Sequence, residues 1–291
     1  MKIMVNIAIV LINYKQPELT IDCIKSIRKS TYKQYEIIVV DNNSGDNSCE
    51  VLGREADVTY IQSAVNAGFS SGNNIGIKYA KDHHFDAVML LNNDTVIAPD
   101  MMEILIKNYS EDNIFTPSMM YYSDPDKIWF GGGHIDFLRA KGVHEHQNEI
   151  NVKDHNRKIT FSTGCCMLIP MVVIDKMGML DDRFFMYCED LEYSLRAYKQ
   201  GITIDYIPDA KLWHKVGASS APHSALNVYY DTRNRLMIMK EYKFSVKSYC
   251  YVLSSRLIRL IQGIFKKNNN IYIWKGLLDY LKGKTGKAEL V

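Results

Sequence analysis

AVMLLNNDT, residues 87–95, runs through five apolar residues and then breaks at once into two amides, an acid and a threonine. The apolar run is too short for a helix, and because it is apolar throughout, not alternating, it reads as a strand buried on both faces. The pattern recurs upstream. VNIAIVLI (5–12) runs into Asn13, EIIVV (36–40) into the polar turn DNNSGDNS that opens on Asp41, and VTYI (58–61) into QSAVNAGFSSGNN, which carries Asn66. Between these strands, apolar residues at helical spacing, such as Leu19, Ile21, Cys23, Ile24 and Ile27, predict helices over 17–29, 70–81 and 99–108. Short apolar strands alternating with amphipathic helices predict an α/β fold, a mostly parallel central sheet flanked by helices. Ligands of such sheets sit beyond the carboxyl ends of the strands. Here four consecutive strand ends release Asn or Asp: Asn13, Asp41, Asn66 and Asn92 to Asp94.

Beyond residue 110 the pattern loosens. TPSMMYYSDPDKIWFGGGHIDF (116–137) reads as strands and loops, and residues 140–160 are polar and rich in His. STGCCMLIPMVVIDKMG (162–178) returns to strand and helix, and a further helix runs from near Cys188 to a stop at Gly201. ITIDYIPDAKLWH (202–214) predicts two short strands, and a helix follows over about 224–241. The expected organisation is a catalytic domain over 1–242, with a nucleotide-binding half to about 110 and an acceptor-binding half from 111, and a basic helical extension over 243–291.

Composition bounds the function classes. With 47% hydrophobic and 23% charged residues, the chain is neither disordered nor fibrous. Its six cysteines form no CxxC pair and no even spacing, which argues against a zinc site or a disulfide framework and fits a reducing cytoplasm. The apolar run near the N-terminus lacks a small-residue cleavage site and reads as a first strand. No stretch reaches the roughly 20 apolar residues of a membrane span. From Lys243 onward ten Lys or Arg face two acids, a net +8 in a chain of +2, which leaves −6 for the first 242 residues.

Individual residues allow two readings each. Asp41, ending a buried strand, can accept from a nucleobase N–H or a ribose hydroxyl, or can close an Asx turn. Asn92-Asn93-Asp94 can present an acid to a divalent cation that takes its other ligands from a diphosphate, or can form a polar turn. NAGFSSGNNIG (66–76) can turn backbone N–H groups toward a diphosphate, or be a flexible connection. Glu189 and Asp190 open a helix, where acids also occur for dipole reasons alone, and Asp190 is a candidate general base. His214 can be a metal ligand or a structural hydrogen bonder. His144 and His146 flank Glu145 in what reads as a solvated loop, and Trp129, Phe130 and the glycines at 131–133 can stack on a sugar or form a hairpin.

Taken in order, the segments IVLINYKQPELTIDCIKSI, YEIIVVDNNSGDNS, NAGFSSGNNIGIKYA, VMLLNNDTVIAPD, FFMYCEDLEYSLRAYKQG, WHKVGAS and YYDTRNRL resemble glycosyltransferase family 2, and most closely its rhamnosyltransferase-like branch of bacterial surface polysaccharide synthesis. The resemblance spans about residues 5–236. It implies the Rossmann-like A-type nucleotide-sugar fold, an inverting reaction and a divalent metal, Mn²⁺ or Mg²⁺. It further implies that Asp41 binds the nucleobase, that Asp94 and His214 hold the metal, and that Asp190 is the catalytic base with Glu189 beside it. Asn13, Asn66, Gly68 and Asn73 would line the nucleotide side, and Asn92 and Asn93 would face ribose or sugar. Asn92 stands where the first acid of the family's DxD motif would sit. Arg233 and Asn234 match a late motif without an implied role.

The expected partners are therefore a nucleotide-sugar donor, such as thymidine-linked rhamnose or a uridine-linked hexose, and a glycan acceptor that is free or lipid-linked. No nucleic acid is expected. The basic extension predicts an amphipathic helix that lies on the inner face of the cell membrane or packs on the body or a second copy. A sugar-phosphate nucleotidyltransferase and a non-catalytic nucleotide-sugar-binding protein are the competing readings.

Overall fold

The structure, a computed structural model, describes residues 4–216, 224–266 and 270–289. Its first half follows the strand and helix alternation: β1 (Ile7–Asn13), α1 (Pro17–Arg28), β2 (Tyr35–Asp41), α2 (Ser48–Leu52), β3 (Val58–Gln62), α3 (Gly68–Asp82), β4 (Ala87–Asn92), β5 (Thr95–Ile97) and α4 (Met101–Lys107). Pro17 starts α1 at a position where its missing N–H costs nothing, and Cys23, Ile24 and Ile27 turn inward at helical spacing. Ile7 to Leu11 of β1 are completely buried. At about 1.5–3 kcal/mol per large aliphatic side chain, this strand is one of the strongest contributors to the core. The polar stretch 41–48, read as turn alone, also launches the single-turn-scale helix α2.

The second half comprises β6 (Ile114–Tyr121), β7 (Asp124–Phe130), β8 (Gly133–Asp136), β9 (Lys141–His144), β10 (Arg157–Ile159), β11 (Cys166–Pro170), α5 (Met171–Met177), α6 (Glu189–Gln200), β12 (Ile204–His214), α7 (Ala225–Glu241), α8 (Val246–Lys266) and α9 (Asn270–Leu281). The main sheet runs β10-β12-β6-β11-β4-β1-β2-β3, with β5 on β12 and β7 on β6, while β8 and β9 pair as a separate hairpin. β1 to β4 are parallel to one another; β11 joins antiparallel to β4 and β6, and β12 lies parallel to β6. One continuous sheet therefore crosses the boundary at residue 110.

Two expectations change. ITIDYIPDAKLWH is one strand, β12, whose register shifts between Ile207 and Lys211. Pro208 lies in that shift, and its lack of an N–H explains why the ladder is interrupted there. The stretch 140–160 contains β9 and β10 and is not loop throughout. α7 begins where expected, with the Ser224 hydroxyl accepting from the Asn227 N–H as a helix cap. Part of the WHKVGAS segment, residues 217–219, lies outside the described residues. Among the described residues, no helix is long and apolar enough to cross a membrane.

Candidate active site

β1, β2 and β4 end level with one another, Asn13 beside Asp41 and Ile12 beside Asn92. Their polar ends form one net. Asn93 Nδ2 donates to Thr20 Oγ1 (2.9 Å), Thr20 Oγ1 to Asn13 Oδ1 (2.9 Å), and Asn13 Nδ2 to Asp41 Oδ1 (2.7 Å). Asp41 Oδ2 also accepts from the Ser44 N–H (3.0 Å) and from Gln62 Nε2 of β3 (2.9 Å), and the Ser44 hydroxyl donates to Oδ1. Three of the residues that signalled a site at the strand ends, Asn13, Asp41 and Asn93, are thus tied into one net, which is what burial demands of them. Asn13, Asp41 and Asn73 lie beneath the surface, and Asn73 Nδ2 donates to the Phe69 carbonyl within α3.

Above this net opens a cleft of about 580 Å³. It is lined by Asn42, Asn66 and Gly68, by Asn92 to Asp94, and by Thr163, Gly164, Glu189 and Asp190. Lys15 brings a cation to the rim, its N–H held by the Ser44 hydroxyl at 2.9 Å. Of the expected donor-side residues, the cleft therefore collects Asn66, Gly68, Asn92 and Asn93. The glycines of 66–76 are not a flexible connection, since all three lie in α3. Gly68 has φ +95° and a Cβ there would lie 2.1 Å from the Phe185 carbonyl oxygen, while at Gly76 it would lie 2.4 Å from Val10 of β1. These are close approaches of α3 to its neighbours, made possible by missing side chains.

Asp94 and His214 meet as expected. His214 Nε2, at the end of β12, is 3.1 Å from Asp94 Oδ1, and both side chains are buried, at 9% and 1% exposure. Trp129 packs edge-on to His214 at 4.4 Å and to His144 at 4.8 Å. His144 is half-buried in β9, where its Nδ1 pairs with the Trp129 carbonyl, and burial lowers its pKa. That corrects the reading of His144 as a solvated loop residue; Trp129 likewise lines the cleft. Among the described residues there is no cluster of three or more His, Cys, Asp or Glu suited to a metal. A carboxylate and an imidazole nevertheless fit Mn²⁺ or Mg²⁺ when the remaining positions belong to water and substrate oxygens, the usual arrangement for a hard cation on a diphosphate.

Tyr187 and Cys188 both take left-handed backbone conformations, φ 64° and 71°, just before Glu189 and Asp190 start α6. Two consecutive non-glycine residues in that region are strained and persist only when held from outside. The holder is Asn234 of α7, completely buried, whose Nδ2 donates to the carbonyls of Met186 (3.0 Å) and Tyr187 (2.8 Å). Arg233, also completely buried, donates through Nε to Asn234 Oδ1 and through a second nitrogen to the Gly286 carbonyl (2.9 Å), and it stacks over Tyr229 and Tyr230. From the other side, Asn74 of α3 grips the same segment, donating to the Leu180 carbonyl (2.8 Å) and Asp182 (2.6 Å). Sequence reasoning missed Asn74, Lys15 and His144, and found Arg233 without its role.

Asp190 Oδ1 accepts from the Leu191 N–H at 2.7 Å and Oδ2 from the Gly164 N–H at 3.3 Å. Burial raises its pKa in spite of these bonds. Glu189 is pushed further, to about 8, first by burial and then by the charge of Asp190 beside it. Its Oε2 is buried with no hydrogen-bond partner among the described residues. Burial thus raises the pKa of both adjacent carboxyls, a setting in which a carboxyl can exchange a proton with a bound hydroxyl.

A sequence model of glycosyl transferase family 2 matches residues 8–178, more than half of the chain. The low-salt glycan biosynthesis hexosyltransferase Agl10 of Haloferax volcanii is 28% identical over 296 residues, covering 98% of this chain and 94% of its own. The dTDP-rhamnosyl transferase RfbF of Shigella flexneri is 24% identical over 261 residues, 86% of each protein. Among solved structures, the mannosyltransferase PcManGT of Pyrobaculum calidifontis, in complex with GDP-Man and Mn²⁺, superposes with a TM-score of 0.57 at 11% identity, over 97% of this chain and 88% of that one. At that identity the likeness is one of fold.

Proposed function

Because the chain belongs to glycosyltransferase family 2, we propose that it transfers a rhamnosyl or hexosyl group from a nucleotide diphosphate to a hydroxyl of a glycan acceptor, inverting the anomeric centre, in the synthesis of a cell-surface polysaccharide. One observation carries this reading: a single cleft brings Asp94 and the flanking amides from one strand end together with Asp190 from the start of α6. Asp190 takes the proton of the acceptor hydroxyl. The acceptor oxygen then attacks the anomeric carbon from the face opposite the diphosphate, which leaves with the bonding pair. A base in this role contributes about 10²–10⁴-fold.

Asp94 and His214 would hold the Mn²⁺ or Mg²⁺ ion. When bound there, the ion offsets the negative charge that develops on the leaving diphosphate. Asn92 and Asn93 meet the ribose or the sugar, and Asn66 and Gly68 the nucleotide. Asp41 receives the nucleobase N–H at Oδ2, where the exposed Gln62 amide now sits and can be displaced. Asn13 and Asn73 keep this wall in place from beneath. Arg233 and Asn234 hold the turn that carries Glu189 and Asp190 and touch neither substrate.

The test is nucleotide release, with and without Mn²⁺, from a panel of dTDP-rhamnose, UDP-glucose, UDP-galactose and UDP-N-acetylhexosamines in the presence of candidate acceptors, read beside thermal shift. One donor should both stabilise the protein and turn over with metal. Stabilisation without release under every acceptor would identify a binding protein, and incorporation of a sugar phosphate into nucleotide would identify a nucleotidyltransferase.

A further inference from the structure

The extension formed by α8 and α9 is tied to the body on one side. On α8, Val252 and Leu260 are buried, the Ser248 hydroxyl donates to the Phe137 carbonyl at 2.9 Å, and Arg256 forms a buried ion pair with Asp231 of α7. On α9, Ile273 packs with Val228 and Leu260, and Asp279 accepts from the Tyr229 hydroxyl at 2.9 Å. These contacts use one stripe of each helix. The remaining stripes, at spacings of three or four residues, are apolar and open to solvent: Leu253, Leu257 and Ile261 on α8, and Trp274, Leu278 and Leu281 on α9, each between 44% and 76% exposed.

The charges beside them are one-sided. Within the described part of the extension, Lys243, Lys247, Arg259, Lys282, Lys284 and Lys287 are exposed against a single exposed acid, Glu289. An extension that exposes apolar stripes and carries an excess of exposed cations would set like charges against each other if two copies met through it. It complements an anionic bilayer surface, into which aliphatic side chains and an indole ring insert while Lys and Arg meet the headgroups. We propose that the outer face of the α8–α9 pair docks on an anionic lipid surface. The helices lie in that surface, since neither is long and apolar enough to cross it.

The experiment uses the whole protein and vesicles of phosphatidylcholine made with or without phosphatidylglycerol. Co-sedimentation should require phosphatidylglycerol and weaken as salt rises, because each cation near an anionic surface strengthens partition by roughly fivefold. Leu257→Glu combined with Ile261→Glu should cut it by at least about tenfold, and Arg259→Glu by several-fold, with nucleotide release on a soluble acceptor unchanged. Trp274 supplies a reading that adds no charge: brominated phosphatidylglycerol should quench its emission, and Trp274→Phe should abolish that change. Wild-type protein left in the supernatant, equal sedimentation with both vesicle types, an absent quench, or a dimer that the double variant dissolves would each overturn the proposal. Loss of catalysis in the donor panel would not, so the two readings fail separately.

Discussion

The two walls of the cleft are built on opposite plans. The wall proposed for the donor rests on strand ends tied together by a relay from Asn93 through Thr20 and Asn13 to Asp41. The wall proposed for the acceptor is a strained turn ending in two adjacent carboxylates, held by Asn234 of α7, with Asn74 of α3 fixing the chain five to seven residues upstream. A self-satisfied net resists disturbance and positions ligands passively. A turn that is over-determined from a distance keeps a reactive group in a setting that its own sequence would not choose.

That contrast can be broken most severely at the base itself. Asp190→Asn should lower kcat about 10³-fold while the dissociation constant for the donor nucleotide moves by less than about twofold, measured by single-turnover kinetics and calorimetry. Asn234→Ala removes both donors from the Met186 and Tyr187 carbonyls without touching the cleft. We expect kcat to fall by about 10–100-fold with little change in donor binding, and Asn234→Asp, which cannot donate in the same way, should not rescue it. An equal loss of donor affinity would show that the two walls are not separable.

Where the walls touch, Gly68 meets the Phe185 carbonyl. Gly68→Ala should destabilise the fold by about 2–4 kcal/mol, from overpacking and a positive φ together, and should weaken both functions in parallel, as denaturant melts and kinetics would record. The smallest effect concerns Glu189. Its raised pKa means that the folded chain holds a proton that the unfolded chain has released, so stability declines as pH climbs from the ordinary carboxylate range through about 8. Glu189→Gln removes the part of that dependence that Glu189 contributes, while the part from Asp190, whose pKa burial also raises, remains. The variant's melting temperature should gain on the wild type over this interval, with the acidic limb of kcat/KM, set by Asp190, left in place.

The same contrast explains what could be read in advance. β1 to β4 and their polar ends follow from local rules, in that apolar runs of strand length stop at amides and acids, and each signal lies within ten residues of the position it marks. Helices α1, α3, α6 and α7 were legible from the spacing of their apolar faces. The roles of Asn234 and Arg233 were not, since they depend on partners 47 to 53 residues away. His144 looked solvated because its neighbours are polar, while Trp129, which meets it edge-on, and Phe161, which stacks on it, come from elsewhere in the chain. The glycines of α3 were legible as a cluster, but the close approach of Gly68 to Phe185 and of Gly76 to Val10 was not, because those partners lie far away in the sequence.

The Arg233 link to Gly286 also sets an order in time. A chain is made from its N-terminus, and the first domain portions to emerge can fold before the rest exists. β1, β2 and β3 find all their strand partners within the first hundred residues, and only β4 waits for a later one, β11, so most of the wall proposed for the donor can form early in translation. Asn234 and Arg233 come later, and the carbonyl that Arg233 grips comes 53 residues later still. A nascent chain should therefore recognise its nucleotide before it can deprotonate an acceptor, and chemistry would be the last property this protein acquires as it is synthesised.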